Sequence, residues 1–155
     1  MTENARLIAR QLTHLQRMHE YLAHSIGRCE AILPVTDWKS LSFEEHEVLA
    51  AFRIRFSDFQ EHLGKTMQAV AREEEVEVER FGSVLAFMEK IGVLASAERW
   101  KIIREIRNAI SHEYEEDATR LTDFFTEMIK ATPELFGSHQ KLMAFCQKAY
   151  DVKPE

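Results

Sequence analysis

The stretch Arg107-Asn108-Ala109-Ile110-Ser111-His112-Glu113-Tyr114 brings a guanidinium, an amide, an imidazole and a phenol into one short run. Together they are the parts of a phosphodiester-cleaving centre that needs no metal. RNA breaks when its 2′-hydroxyl loses a proton and attacks the adjacent phosphate while the leaving 5′-oxygen gains one. An imidazole, with an ordinary pKa of about 6.5, can fill either role near neutral pH, and such proton transfer contributes roughly 10²–10⁴-fold. Guanidinium and amide donors aimed at the non-bridging oxygens stabilise the charge that develops. The candidate catalytic residues are therefore Arg107, Asn108 and His112, with Tyr114 completing the group. Taken singly, each has an ordinary explanation as a cap, a packing contact or a solvated charge. It is the grouping that points to chemistry.

A helix must carry these residues. Trp100, Ile103, Arg107, Ile110 and Tyr114 follow at steps of three and four, so Arg107 interrupts an otherwise apolar line. An arginine there either runs its stem outward or is held in a cleft. On ideal geometry Asn108 and His112 lie about 100° and 140° round from Arg107, while Tyr114 sits two turns above it. Ser96 is placed to cap this helix, which the apolar spacing carries to about Tyr114.

The other elements read in the same way. Ile8, Leu12, Leu15, His19, Leu22, Ile26, Cys29 and Leu33 form one seam of a first long helix, stopped by Pro34. Ser42 is an N-cap followed by Glu44 and Glu45, and Leu49, Phe52, Phe56, Phe59, Leu63, Met67 and Val70 mark a second long helix antiparallel to the first. The acidic run Glu73 to Glu79 reads as a solvated helix end and linker, or else as a partner-facing patch. A short helix through Val84, Phe87, Met88 and Ile91 closes near Gly92. Beyond the motif, a helix over Leu121, Phe124, Phe125, Met128 and Ile129 follows Glu115-Glu116-Asp117. Thr132-Pro133-Glu134 has the order of a fresh helix start, and Ser138 could cap a last helix to Tyr150. The expected fold class is all-α, an antiparallel bundle of about five to six helices over a single domain, residues 1–155.

Composition agrees. Ten Phe outnumber three Pro and five Gly together, leaving few breakers for a many-turned β architecture. The net charge of −6 excludes a nucleic-acid binder that works by bulk attraction, so any RNA chemistry needs a local basic cleft. Cys29 and Cys146 match no metal or redox spacing and read as reduced core thiols of a cytoplasmic protein. The polar N-terminus carries no secretory segment, and no apolar run approaches the roughly 18 residues that span a bilayer.

Other candidates are weaker. His14, His19 and His24 recur every five residues, which sets successive rings about 140° apart on a helix and keeps them from sharing one metal. His19 lies in the first seam, where a structural hydrogen bond or a subunit contact accounts for it. His46 sits among Glu44, Glu45 and Glu47 in a solvated first turn. Arg53 and Arg55 are surface charges unless the second helix brings them toward the motif. No glycine-rich phosphate loop or nucleophile elbow occurs, and no cofactor or metal is expected.

The run from Ile106 to Tyr114 resembles the R-x4-H-x-Y pattern of HepT-like proteins, a branch of the HEPN superfamily. Phe87-Met88-Glu89-Lys90-Ile91-Gly92-Val93-Leu94 with Trp100 and Arg104 is similar to the stretch before their motif, and Arg55-Phe56-Ser57-Asp58-Phe59-Gln60 to the middle of their second helix. The resemblance implies a homodimer whose motif helices face each other across a shared cleft. There two copies of His112 would divide the acid and base roles, and two copies of Arg107 would form a basic spot. It implies a metal-independent ribonuclease toxin acting on tRNA or mRNA, not DNA, in a toxin–antitoxin pair of type II or VII character. The implied antitoxin is a small nucleotidyltransferase of the MNT type that transfers AMP to Tyr114. Some relatives are instead non-catalytic subunits that bind a nucleotide or the nucleotidyltransferase, which is the alternative reading. The intact Arg107, Asn108, His112 and Tyr114 favour the active version.

Overall fold

The computed structural model describes residues 1–109 and 116–154. Its described residues form five α-helices and no strands: α1 (Glu3–Glu30), α2 (Phe43–Glu73), α3 (Phe81–Lys90), α4 (Ala97–Asn108) and α5 (Ala118–Tyr150). A single 3-10 turn, Trp38–Ser40, lies between α1 and α2.

Each start has a local cause. Thr2 accepts from the Ala5 backbone N–H at the head of α1, just ahead of the apolar seam that begins at Ile8. At α2, Ser42 and Glu45 form a reciprocal capping box, so two otherwise unpaired backbone donors are satisfied. Ser96 caps α4 through the Arg99 N–H, and Asp117 caps α5 through those of Thr119 and Arg120. After α3 the chain turns at Gly92, whose φ of 82° is the left-handed conformation that favours glycine.

Cross-helix contacts fix the directions. Asn4 donates to the Ala69 carbonyl and Arg55 to Ser25, so the start of α1 meets the end of α2 and the pair is antiparallel. Helix α5 runs antiparallel to α1, since Thr122 donates to the Val35 carbonyl near one end while His139 meets His19 further along. Arg99 of α4 reaches Glu134 of α5, and Arg107 reaches Ser57 of α2. The core joins all five helices. Ile8, Leu12, Leu15 and Leu22 of α1, with Phe52, Phe56, Phe59 and Leu63 of α2, are wholly buried.

The last third departs from the sequence expectation. Neither Thr132-Pro133 nor Ser138 begins a helix, because α5 is one unbroken helix of 33 residues with Pro133 inside it. A proline within a helix costs about 3 kcal/mol through a lost hydrogen bond and a clash with the preceding turn. Leu121, Phe124, Phe125 and Met128 before the proline, and Leu135, Leu142 and Cys146 after it, are all buried on one core. Each large apolar side chain recovers roughly 1.5–3 kcal/mol on burial, so continuity outweighs the local break. Thr132 turns inward instead of capping, donating to the Met128 carbonyl at 2.8 Å.

The acidic run behaves as a helix end. Glu73 closes α2 and accepts from Thr2 and Asn4, while exposed Glu75 takes a φ of 60° as the chain leaves. Cys29 and Cys146 are free and buried, and burial pushes both thiols up to about 12, so they stay protonated. Among the described residues, no helix is long and apolar enough to cross a membrane.

Candidate functional site

Helix α4 carries the first half of the motif on its last turn. Its buried side, Trp100 and Ile103, locks it against the core. The ion pair of Arg99 with Glu134, at 2.9 Å, ties its first turn to α5. Glu134 in turn raises the pKa of Arg99, by hydrogen bonding first and by charge second. Arg107 follows on the same face as Trp100 and Ile103, so the packing that fixes the helix also sets the position of the guanidinium.

Arg107 is half-buried, and its Nη1 donates to the Ser57 carbonyl of α2 at 3.3 Å. The break it makes in the apolar stripe is thus resolved by α2, which supplies an acceptor where leucine would have supplied packing. Asn108, one position on, is exposed. His112 and Tyr114 lie outside the described residues, as does the expected run of the helix to Tyr114; α4 closes at Asn108 with Ala109 as its C-cap.

Beside Arg107, a groove of about 240 Å³ runs between α2, α3 and α4. Phe81 and Trp100 form its aromatic wall, their ring centroids 6.3 Å apart and tilted by 41°. Gly64 lets these rings approach α2. A β-carbon there would stand 3.3 Å from Trp100 Cζ2 and 3.4 Å from Phe81 Cζ. The rim carries Lys65, Arg104 and Arg107 against the single carboxylate of Glu61, which pairs with Lys65 at 3.6 Å. Three cations to one anion make this a basic spot in a chain of net charge −6. It is local, as the charge argument requires.

Gln60 also lines the groove. It is 1% exposed, and neither its amide oxygen nor its amide nitrogen has a hydrogen-bond partner among the described residues. A buried amide left unpaired costs roughly 1–3 kcal/mol, so packing alone does not account for glutamine at this position. The sequence did carry a signal for it. Phe56, Gln60, Leu63 and Met67 share one helical face, and Gln60 is the polar member, just as Arg107 is on α4.

No family model, curated protein or solved structure matches this chain. Its residues and their geometry carry the functional argument.

The remaining candidates resolve as structural. Arg55 turns away from α4 and toward α1, where it donates to Ser25 Oγ at 2.6 Å and stacks over the Tyr21 ring at 5.5 Å. Arg53 is half-buried on α2. His46 packs edge-on against Trp38, with centroids 5.6 Å apart. His14 and His24 are exposed, whereas His19 points inward, stacked at 3.7 Å on Phe136 with its Nδ1 3.1 Å from His139 Nδ1. The structural hydrogen bond expected of His19 is made within the chain. His139, which the sequence reading did not single out, is 1% exposed; burial first and His19 second lower its pKa to about 4.

Proposed function

We propose that this protein is a metal-independent endoribonuclease of the HepT-like type, the toxin of a toxin–antitoxin pair acting in the cytoplasm. The observation that carries the reading is the setting of Arg107. Its guanidinium stands half-buried at the end of α4, held by the Ser57 carbonyl, on the rim of a basic groove in an otherwise acidic chain. A cation so held is ready for a phosphate without the entropy cost of ordering a free side chain.

In this mechanism Arg107 and Asn108 bind the non-bridging oxygens of the scissile phosphate. His112 takes the 2′-hydroxyl proton, and a second copy of His112 across a homodimer protonates the leaving 5′-oxygen. The product is a 2′,3′-cyclic phosphate end and a free 5′-hydroxyl. A partner nucleotidyltransferase silences the enzyme by joining AMP to the Tyr114 hydroxyl, with loss of pyrophosphate from ATP. The added anion would occupy the phosphate position and repel RNA.

The test is cleavage of tRNA and mRNA by unmodified protein in EDTA, with the ends analysed for cyclic phosphate. His112→Ala should slow cleavage by roughly 10²–10⁴-fold, and Arg107→Ala by a comparable factor. Absence of cleavage by the unmodified wild type at near-stoichiometric protein sinks the enzyme reading. Binding of the nucleotidyltransferase without cleavage would then mark the chain as its non-catalytic subunit.

A further inference from the structure

We infer that the α2–α3–α4 groove is a nucleotide subsite. One nucleobase enters beside Phe81 and Trp100 and pairs with the Gln60 amide, and its phosphate lies outside on Arg104 and Arg107. The proposal extends the ribonuclease reading, which it shares through Arg107, but it concerns binding and not cleavage.

Three independent features fit this ligand. The first is the Gln60 amide, 1% exposed and unpaired among the described residues, on a groove that it lines together with Gly64, Phe81 and Trp100. A primary amide offers one donor beside one acceptor, which is the pattern a nucleobase edge presents, and glutamine pairs with adenine in this bidentate way. The second is the aromatic wall. Phe81 is half-buried and Trp100 is 4% exposed, so each offers an edge or part of a face against which a flat ring gains contact. Gly64, one turn from Gln60 on α2, lets this wall approach the helix.

The third is the arrangement of charge. Arg104 and Arg107 are one helical turn apart on α4, with Arg104 exposed and Arg107 anchored, and both cations line the same groove as Gln60. Size agrees. A space of about 240 Å³ falls below the roughly 300–1,000 Å³ of pockets that enclose a whole drug-sized ligand. It accommodates one ring system and leaves the sugar and phosphate outside, where the arginines stand. An apolar ligand would leave the amide unpaired, and an inorganic anion would leave the aromatic wall unused.

The same chemistry could come from a base within RNA or from a free mononucleotide. Calorimetric titration should therefore use both 5′-AMP and a short oligoadenylate bearing 2′-O-methyl groups, which cannot be cleaved by 2′-hydroxyl attack. Wild type should bind at least one of them. Gln60→Met and Arg104→Glu should each weaken that binding by about tenfold or more, the size of one good hydrogen bond to a base or phosphate. Because the buried amide has no partner among the described residues, Gln60→Met should keep or raise the melting temperature, so a loss of binding is not a loss of fold. Arg104 is exposed, and its substitution tests the phosphate end independently.

Tighter binding of the oligoadenylate assigns the subsite to RNA, and equal or tighter binding of AMP assigns it to a free nucleotide. The proposal is overturned if neither ligand binds at millimolar concentration, if ribose 5-phosphate binds as well as AMP, or if both variants bind like wild type. Binding that survives in a chain with no RNA cleavage would refute the ribonuclease reading alone. Cleavage unaffected by Gln60→Met and Arg104→Glu, with no AMP or oligoadenylate bound, would refute the subsite alone.

Discussion

Mild acid should destabilise this fold through one pair of imidazoles, a buried His139 against a half-buried His19. His19 Nδ1 and His139 Nδ1 are 3.1 Å apart, so one ring donates and the other accepts while both remain neutral. A second proton would place a cation beside the Phe59 and Phe136 rings, with His139 Nε2 buried and unpaired among the described residues. Burial, reinforced by the neighbouring His19, therefore lowers His139 to about 4 from an ordinary 6.5. Burial also lowers His19, against a smaller opposing pull from Glu20. Between those two values the unfolded chain binds the proton and the folded chain does not. The stability contributed by neutral His139 is thus complete above about pH 6.5 and is lost as pH falls toward about 4. Carried through the linkage relation, acidification from about pH 7.5 to about pH 5 removes about 2 kcal/mol through this group. The measurement is urea unfolding followed by circular dichroism at those two pH values, for wild type and His139→Gln. The glutamine keeps a hydrogen-bonding group near His19 but cannot titrate, so wild type should lose about 2 kcal/mol more than the variant. Equal losses in the two proteins would refute the account.

Two further substitutions test how the site is built and how its second helix begins. Gly64→Val should push its methyl groups into Trp100 and Phe81, costing roughly 1–3 kcal/mol in chemical unfolding and abolishing any AMP or oligoadenylate binding in the groove. Ser42→Ala breaks the capping box at the head of α2 and should cost about 1 kcal/mol, read as a lower urea midpoint with an unchanged slope.

Much of the fold was legible in the residues before any coordinate. The stripe Leu49, Phe52, Phe56, Phe59, Leu63, Met67 and Val70 is buried throughout, because a repeat of three and four puts every member on one side of a helix. The caps at Ser42 and Ser96 were visible for a similar reason, as capping is settled within one turn of chain. Arg107 announced itself by interrupting a stripe, and the structure places it at a groove rim.

What tertiary structure alone decided was the outcome of competitions between local preference and distant packing. Thr132-Pro133-Glu134 has the local chemistry of a helix start, yet the buried faces on both sides of Pro133 share one core and hold α5 together. Arg55 had two helices within reach, and only the packing of α1 on α2 gave it Ser25 and Tyr21. The groove itself joins residues from α2, α3 and α4 that no spacing rule connects. Sequence determined which residues would be polar in apolar stripes, Gln60 and Arg107 among them. Folding decided that the two stripes meet, because side-chain period is a property of one helix whereas a site is a property of how several helices are packed.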